Sequence, residues 1–304
     1  MPSPSTQTKR APRREWLLFI TALIKGTGLV VQRLSVGRLE PFTFIASRFL
    51  VGGLSLLLVL ALTKSFPHQS TPKLPVRTWL SGAFACGAVL FFATSLQQYG
   101  VRTTTAGKAG FITALYVVIV PLLGLFLRRR PKPAVWIAVA IALVGLYLLT
   151  MQEGLSIASG DLLVLFGAFF WSVHILLIDH FTKKVNGFLL SFGQFLVCSL
   201  IAWIAASLFN TITLEGLLDA SRLILYSGLI VVGLAYTLQV LGQKGTQPAV
   251  ISLILCVESV FGVLAGWLIL KEQLTLREGL GCLLVLAAVL ITQLAPRQAE
   301  LKET

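Results

Sequence analysis

The apolar residues of this chain arrive in blocks about as long as a bilayer is thick. Trp16–Leu34, Phe42–Leu62 and Leu223–Leu241 each approach the roughly 20 residues a helix needs to cross the hydrocarbon. A helix suits such a block because it pairs its own backbone amides where no water can. The other spanning structure, a β-barrel, would show alternating segments of about ten residues, and that alternation is absent. Charged residues make up 12% of the chain and hydrophobic ones 56%, against roughly 25% charged in an ordinary soluble domain. Mean hydropathy is +0.86. The expected fold is therefore an all-α integral membrane protein. Its helices fall near 16–34, 42–63, 77–98, 106–127, 134–151, 161–180, 187–209, 221–242, 248–270 and 277–295, about ten transmembrane helices in all.

The breaks between blocks carry their own chemistry. Pro67, Pro72 and Pro75 lie in a polar stretch, Arg128-Arg129-Arg130-Pro131-Lys132-Pro133 reads as a charged hinge, and Pro248 opens the ninth helix, where a missing amide costs little. A net charge of +13 raises the question of nucleic acid, but the basic residues sit in the short links between blocks, which is the positive-inside pattern. Sixteen Lys and Arg fall in the N-tail, alternate links and C-tail, and seven fall in the opposite links; Lys25 and Arg48, which lie inside helices, complete the 25. Both termini are thus expected to be cytoplasmic. The first block follows a basic tail with no small-residue cleavage site after it, so it reads as a retained helix. Cys86, Cys198, Cys256 and Cys282 lie inside apolar blocks at no metal-ligand spacing and read as small buried hydrophobes.

Weak internal repetition divides the chain. A shift of 142 lays Leu96-Gln97 on Leu238-Gln239, Gly100 on Gly242 and Gly124 on Gly266, and a shift near 146 lays Phe49-Leu50-Val51 on Phe195-Leu196-Val197. The organisation expected is a cytoplasmic tail over 1–15, a five-helix repeat over 16–151, a second over 161–295, and a tail over 296–304. An odd number of helices per repeat inverts the second half, an arrangement that serves a midplane site open to either side in turn.

Several segments resemble one family. Gly26-Thr27-Gly28-Leu29-Val30-Val31-Gln32-Arg33 with Pro41-Phe42-Thr43-Phe44 and Arg48-Phe49 is similar to the first repeat of the drug/metabolite transporter superfamily, the EamA-type permeases. So are Gln97-Gln98-Tyr99-Gly100, Thr105-Ala106-Gly107-Lys108-Ala109-Gly110-Phe111 and Pro121-Leu122-Leu123-Gly124. In the second half Ala235-Tyr236-Thr237-Leu238-Gln239, Glu258-Ser259-Val260-Phe261-Gly262 and Leu270-Lys271-Glu272 correspond. The resemblance covers nearly the whole chain and implies a ten-helix inverted-repeat carrier, often an exporter of metabolites such as amino acids. One departure stands out: the family usually places an aromatic, commonly Trp, before the Gly of the first helix, and this chain has Lys25.

Ionisable groups inside spanning helices cost roughly 2.5–3.5 kcal/mol on insertion scales and so mark candidate sites. Glu258 shares a stripe with Gly262 and Gly266 and should face protein, either as a proton-coupling carboxylate, as a ligand for a substrate amine, or as a structural acid. Lys25, with Gly28 and Gln32 on its face, either holds a substrate carboxylate, pairs with Glu258, or is structural. Arg48 either lines an outer gate or snorkels to the headgroups. A wider polar and aromatic set comprises Gln97, Gln98 and Tyr99 on the third helix, Trp171 and His174 on the sixth, Gln194 on the seventh, and Tyr236 and Gln239 on the eighth. Trp171 and His174 are i, i+3 neighbours suited to a flat substrate, and interhelical hydrogen bonding is the plainer account of the glutamines.

The expectation is a secondary transporter in the cell inner membrane that moves a small solute with a carboxylate or other anionic group by alternating access. Phosphate loops, zinc spacings and nucleophile elbows are missing from the sequence, so the reading assigns no cofactor, no metal and no enzymatic activity. Its partners are a small-molecule substrate, the lipid bilayer and a coupling proton or ion, with no nucleic acid. The alternatives are a membrane-embedded lipid-modifying enzyme, which would need clustered acids or His near one surface, and a channel or sensor.

Overall fold

The computed structural model describes residues 14–62, 76–104, 106–129, 131–150, 159–270 and 275–294. The proline-rich stretch around Pro67 and the two predicted tails, apart from Arg14 and Glu15, lie outside them. The described residues form ten spans. The first three are Glu15–Ser35, Pro41–Leu62 and Val76–Gly100. The fourth comprises Ala106–Ala114 and Tyr116–Phe126, and the fifth is Pro133–Thr150. The sixth and seventh are Ser159–Phe181 and Gly187–Phe209. The eighth runs through Ser221–Tyr226, Ser227–Tyr236 and Thr237–Gln243, the ninth through Pro248–Leu255 and Glu258–Leu270, and the tenth is Leu276–Leu294. Nine of these are long and apolar enough to cross a membrane, and the fifth is a shorter apolar helix.

The outer surface of this bundle is apolar. Leu58, Phe84, Phe166, Leu200 and Leu290 are exposed, a surface that would aggregate in water and is the expected one against lipid. Inside, the second span packs on the seventh, the fourth on the ninth and the fifth on the tenth. The third packs on the sixth and seventh, the eighth on the first and second, the fourth on the sixth, and the ninth on the first. Moving every span five places along leaves this set unchanged, so the halves are related by an approximate two-fold. Gly145 and Gly281 show how close the spans come at the fifth–tenth contact: a Cβ on Gly281 would lie 2.6 Å from the Gly145 carbonyl oxygen.

Three local departures separate the spans from uninterrupted helices. The fourth breaks at Leu115 and the ninth at Cys256–Val257, positions 142 residues apart and therefore equivalent in the two halves. The eighth winds as a π-helix over Ser227–Tyr236, a geometry with i→i+5 bonds that is seldom sustained and is frequent at functional sites. A short helix, Leu214–Asp219, occupies the link before the eighth span, with Thr213 accepting from the Gly216 amide. Hydropathy cannot register any of these, because it averages over the turn where the break occurs.

Ion pairs tie the span ends. Asp179, at the end of the sixth span, accepts from Arg129 at 2.5 Å and Lys183 at 3.2 Å. At the other end of the bundle Arg33 donates to the Val101 carbonyl at 2.8 Å, Arg102 pairs with Glu40 at 3.2 Å, and Thr104 donates to Asp161.

Candidate functional site

The buried polar centre begins where the first and ninth spans touch. A Cβ on Gly26 would lie 2.8 Å from both the Glu258 carbonyl oxygen and the Gly262 amide. The bare glycine therefore allows a backbone approach that any side chain would block, and it brings the preceding residue, Lys25, beside Glu258. Lys25 Nζ lies 3.1 Å from Glu258 Oε2, and the two side chains are 11% and 7% exposed. The other carboxylate oxygen, Oε1, accepts from the Tyr116 hydroxyl at 3.2 Å.

Two aromatic rings lie side by side against the ammonium. Lys25 Nζ is 4.8 Å from the Trp171 ring centroid and 5.3 Å from that of Tyr236. These rings are nearly parallel, 10° apart in plane with centroids 5.9 Å apart. Tyr236 in turn stacks on Phe49 at 6.0 Å, and Phe195 meets both. Trp171 meets His174 edge-on, and His174 Nε2 bonds Gln194 Oε1 at 2.9 Å. His174 Nδ1 has no hydrogen-bond partner among the described residues.

Arg48 stands beside this wall in a different condition. It is 1% exposed, so in this structure the protein itself encloses the side chain. Its guanidinium carbon lies 5.3 Å from the Phe44 ring and 5.2 Å from the Phe49 ring. None of its three nitrogens has a hydrogen-bond partner among the described residues. A buried cation that lacks an anion is costly.

The remaining candidates divide. Gln194 is fully buried, and among the described residues its Nε2, the Trp171 indole nitrogen and His174 Nδ1 have no hydrogen-bond partner. Gln97 donates to Thr113 and Gln98 to Ser35, both as ordinary interhelical bonds. Tyr99 packs edge-on to Phe42. Gln239 and Gln243 are buried, and neither has a partner for its side-chain polar atoms among the described residues. The four cysteines are free thiols, three buried and Cys282 partly so, and the described residues contain no His, Cys, Asp and Glu grouping able to hold a metal.

The approximate two-fold organises this centre, and it exposes a residue the sequence reading missed. Tyr116 and Glu258 are 142 residues apart, each follows the break in its own span, and they bond one another. At the other shift, 146, Lys25 corresponds to Trp171, Arg48 to Gln194 and Phe49 to Phe195. Lys25 and Trp171 meet, as do Phe49 and Phe195. Applying the first shift to Glu258 would have pointed to Tyr116. Equivalent backbone positions thus meet near the axis, Phe with Phe in one pair and unlike side chains in the others, with both cations from the first half and the acid from the second.

The sequence model of the EamA-like transporter family matches twice, over residues 13–151 and 158–294. An uncharacterized transporter of Archaeoglobus fulgidus is 30% identical over 279 residues, covering 91% of this chain and 84% of that protein. The uncharacterized transporters YwfM and YetK of Bacillus subtilis are 25% and 27% identical, over 94% and 91% of this chain and 95% and 86% of their own lengths. A crystal structure shares the fold with a TM-score of 0.75 at 19% identity, over 92% of this chain and 96% of that one.

Proposed function

Because this chain, a multi-pass membrane protein, belongs to the EamA-like transporter family, we propose that it carries a small solute bearing a carboxylate or other anionic group. Arg48 is the anchor in this reading. The carrying observation is that its guanidinium is enclosed by protein while all three nitrogens lack partners among the described residues. A planar fork of donors suits a carboxylate, which can accept two parallel bonds from it. The adjoining rings of Phe49, Tyr236 and Phe195 suit the apolar part of such a solute, and the open valences of Gln194, His174 and Trp171 suit its polar groups. Transport runs by alternating access, with the halves rocking about the centre. Both termini are cytoplasmic on the balance of basic residues, and export is the direction the family resemblance supports.

The test is a thermal-unfolding screen of the purified protein in detergent against amino acids, phenylacetate and other organic acids, each beside a neutral analogue. A solute that binds only the native state stabilises it. Saturable stabilisation by a carboxylate class, absent with the neutral analogues and lost in Arg48→Met, supports the reading. Stabilisation confined to neutral or cationic solutes contradicts it. Flux of the stabilising solute into and out of proteoliposomes then gives the direction.

A further inference from the structure

The Lys25 cluster carries an inference of its own, and it does not depend on the anion reading. Every group around the ammonium comes from a span other than the first: the carboxylate from the ninth, the hydroxyl that holds it from the fourth, and the ring faces of Trp171 and Tyr236 from the sixth and eighth. A carboxylate combined with aromatic faces, each centroid within about 6 Å of the cation, is a composition that attracts an ammonium group. The Tyr116 hydroxyl fixes Glu258 Oε1 and leaves Oε2 to the ammonium, and the two rings contact one another directly. The side chains of the receptor therefore all come from outside the first span, which contributes the guest and, at Gly26, the close backbone contact with the ninth span. The equivalent place in the second half, 146 residues on, holds an aromatic, Trp171, so the approximate symmetry places no second ammonium there.

We infer that Lys25 is the tethered occupant of an ammonium-binding site, and that it fixes specificity by keeping free primary amines out of it. A tethered group competes as though present at a high local concentration, on the order of millimolar or above. Amines at lower concentrations are excluded while the lysine is seated. Removing the lysine side chain converts the site into one for an external amine. Lys25→Ala deletes three methylene groups and the ammonium, the shape of n-propylammonium.

The experiment measures thermal unfolding of the full chain in detergent with n-propylammonium chloride, against potassium chloride at equal ionic strength. Wild type should not respond. Lys25→Ala should be less stable, and n-propylammonium should raise its Tm by several degrees with saturation. The response should disappear in Lys25→Ala/Glu258→Ala. Lys25→Met, which keeps an apolar stem in the space, should be destabilised but not rescued. If Lys25→Ala aggregates, membranes and buffers are prepared with n-propylammonium, which should restore a monodisperse protein. A Lys25→Ala protein indifferent to the amine, aggregation the amine does not relieve, or an equal response in wild type would each overturn the proposal.

Discussion

Lys25 and Arg48 are cations of the same half, on consecutive spans, both largely enclosed by protein and both beside aromatic rings, yet their surroundings are opposite. Lys25 has a carboxylate at 3.1 Å and two ring faces. Arg48 has ring faces alone and no partner for its nitrogens among the described residues. The first arrangement is internally neutral and joins the two halves. The second leaves positive charge unmet in a setting where charge is expensive, which makes sense where a ligand supplies the anion. The difference teaches that burial alone does not mark a binding residue. What distinguishes one is burial with its partners withheld.

That contrast can be broken by mutation, and the largest effect should fall on the closed pair. Glu258→Gln and Lys25→Met each leave one buried charge unopposed, a loss of about 3–5 kcal/mol, read as a large drop in Tm in detergent. A wild-type Tm in either variant would mean that the pair is not formed. Next, Tyr116→Phe removes one hydrogen bond to a charged acceptor, worth about 1.5–3 kcal/mol; an unchanged Tm would show Glu258 held by Lys25 alone. The smallest effect should come from the exposed pair Arg102–Glu40, with side chains 40% and 42% exposed. Arg102→Ala should cost under about 1 kcal/mol and less still at high salt, while the Lys25–Glu258 effect should persist there, since buried pairs are poorly screened. Equal salt sensitivity of the two would place Glu258 in contact with water.

The fold was largely legible because hydrocarbon thickness acts on block length, and block length survives in a bare sequence. The ten helices read at 16–34 through 277–295 differ from the observed spans by two residues or fewer at the ends that are described. The breaks at Leu115 and Cys256–Val257 and the π-helix of the eighth span were not legible, since they change backbone register without changing hydropathy. At the site, Glu258, Lys25 and Arg48 drew attention because charge inside lipid needs a reason. The sequence left open whether Lys25 meets Glu258, because that depends on the close approach at Gly26, a matter of three-dimensional packing. Tyr116 was hidden by its apolar neighbours, although the repeat shift that was already visible leads to it.

The central claim is that Arg48 is kept unpaired for a ligand, and Arg48→Met tests it most directly when unfolding is followed with and without a carboxylate that stabilises wild type. The account predicts that ligand-free Arg48→Met is at least as stable as wild type, because an unmet charge has been removed, and that the ligand-induced rise in Tm is abolished. An Arg48→Met protein that loses stability as Lys25→Met does, and still gains the full rise from the carboxylate, would contradict it.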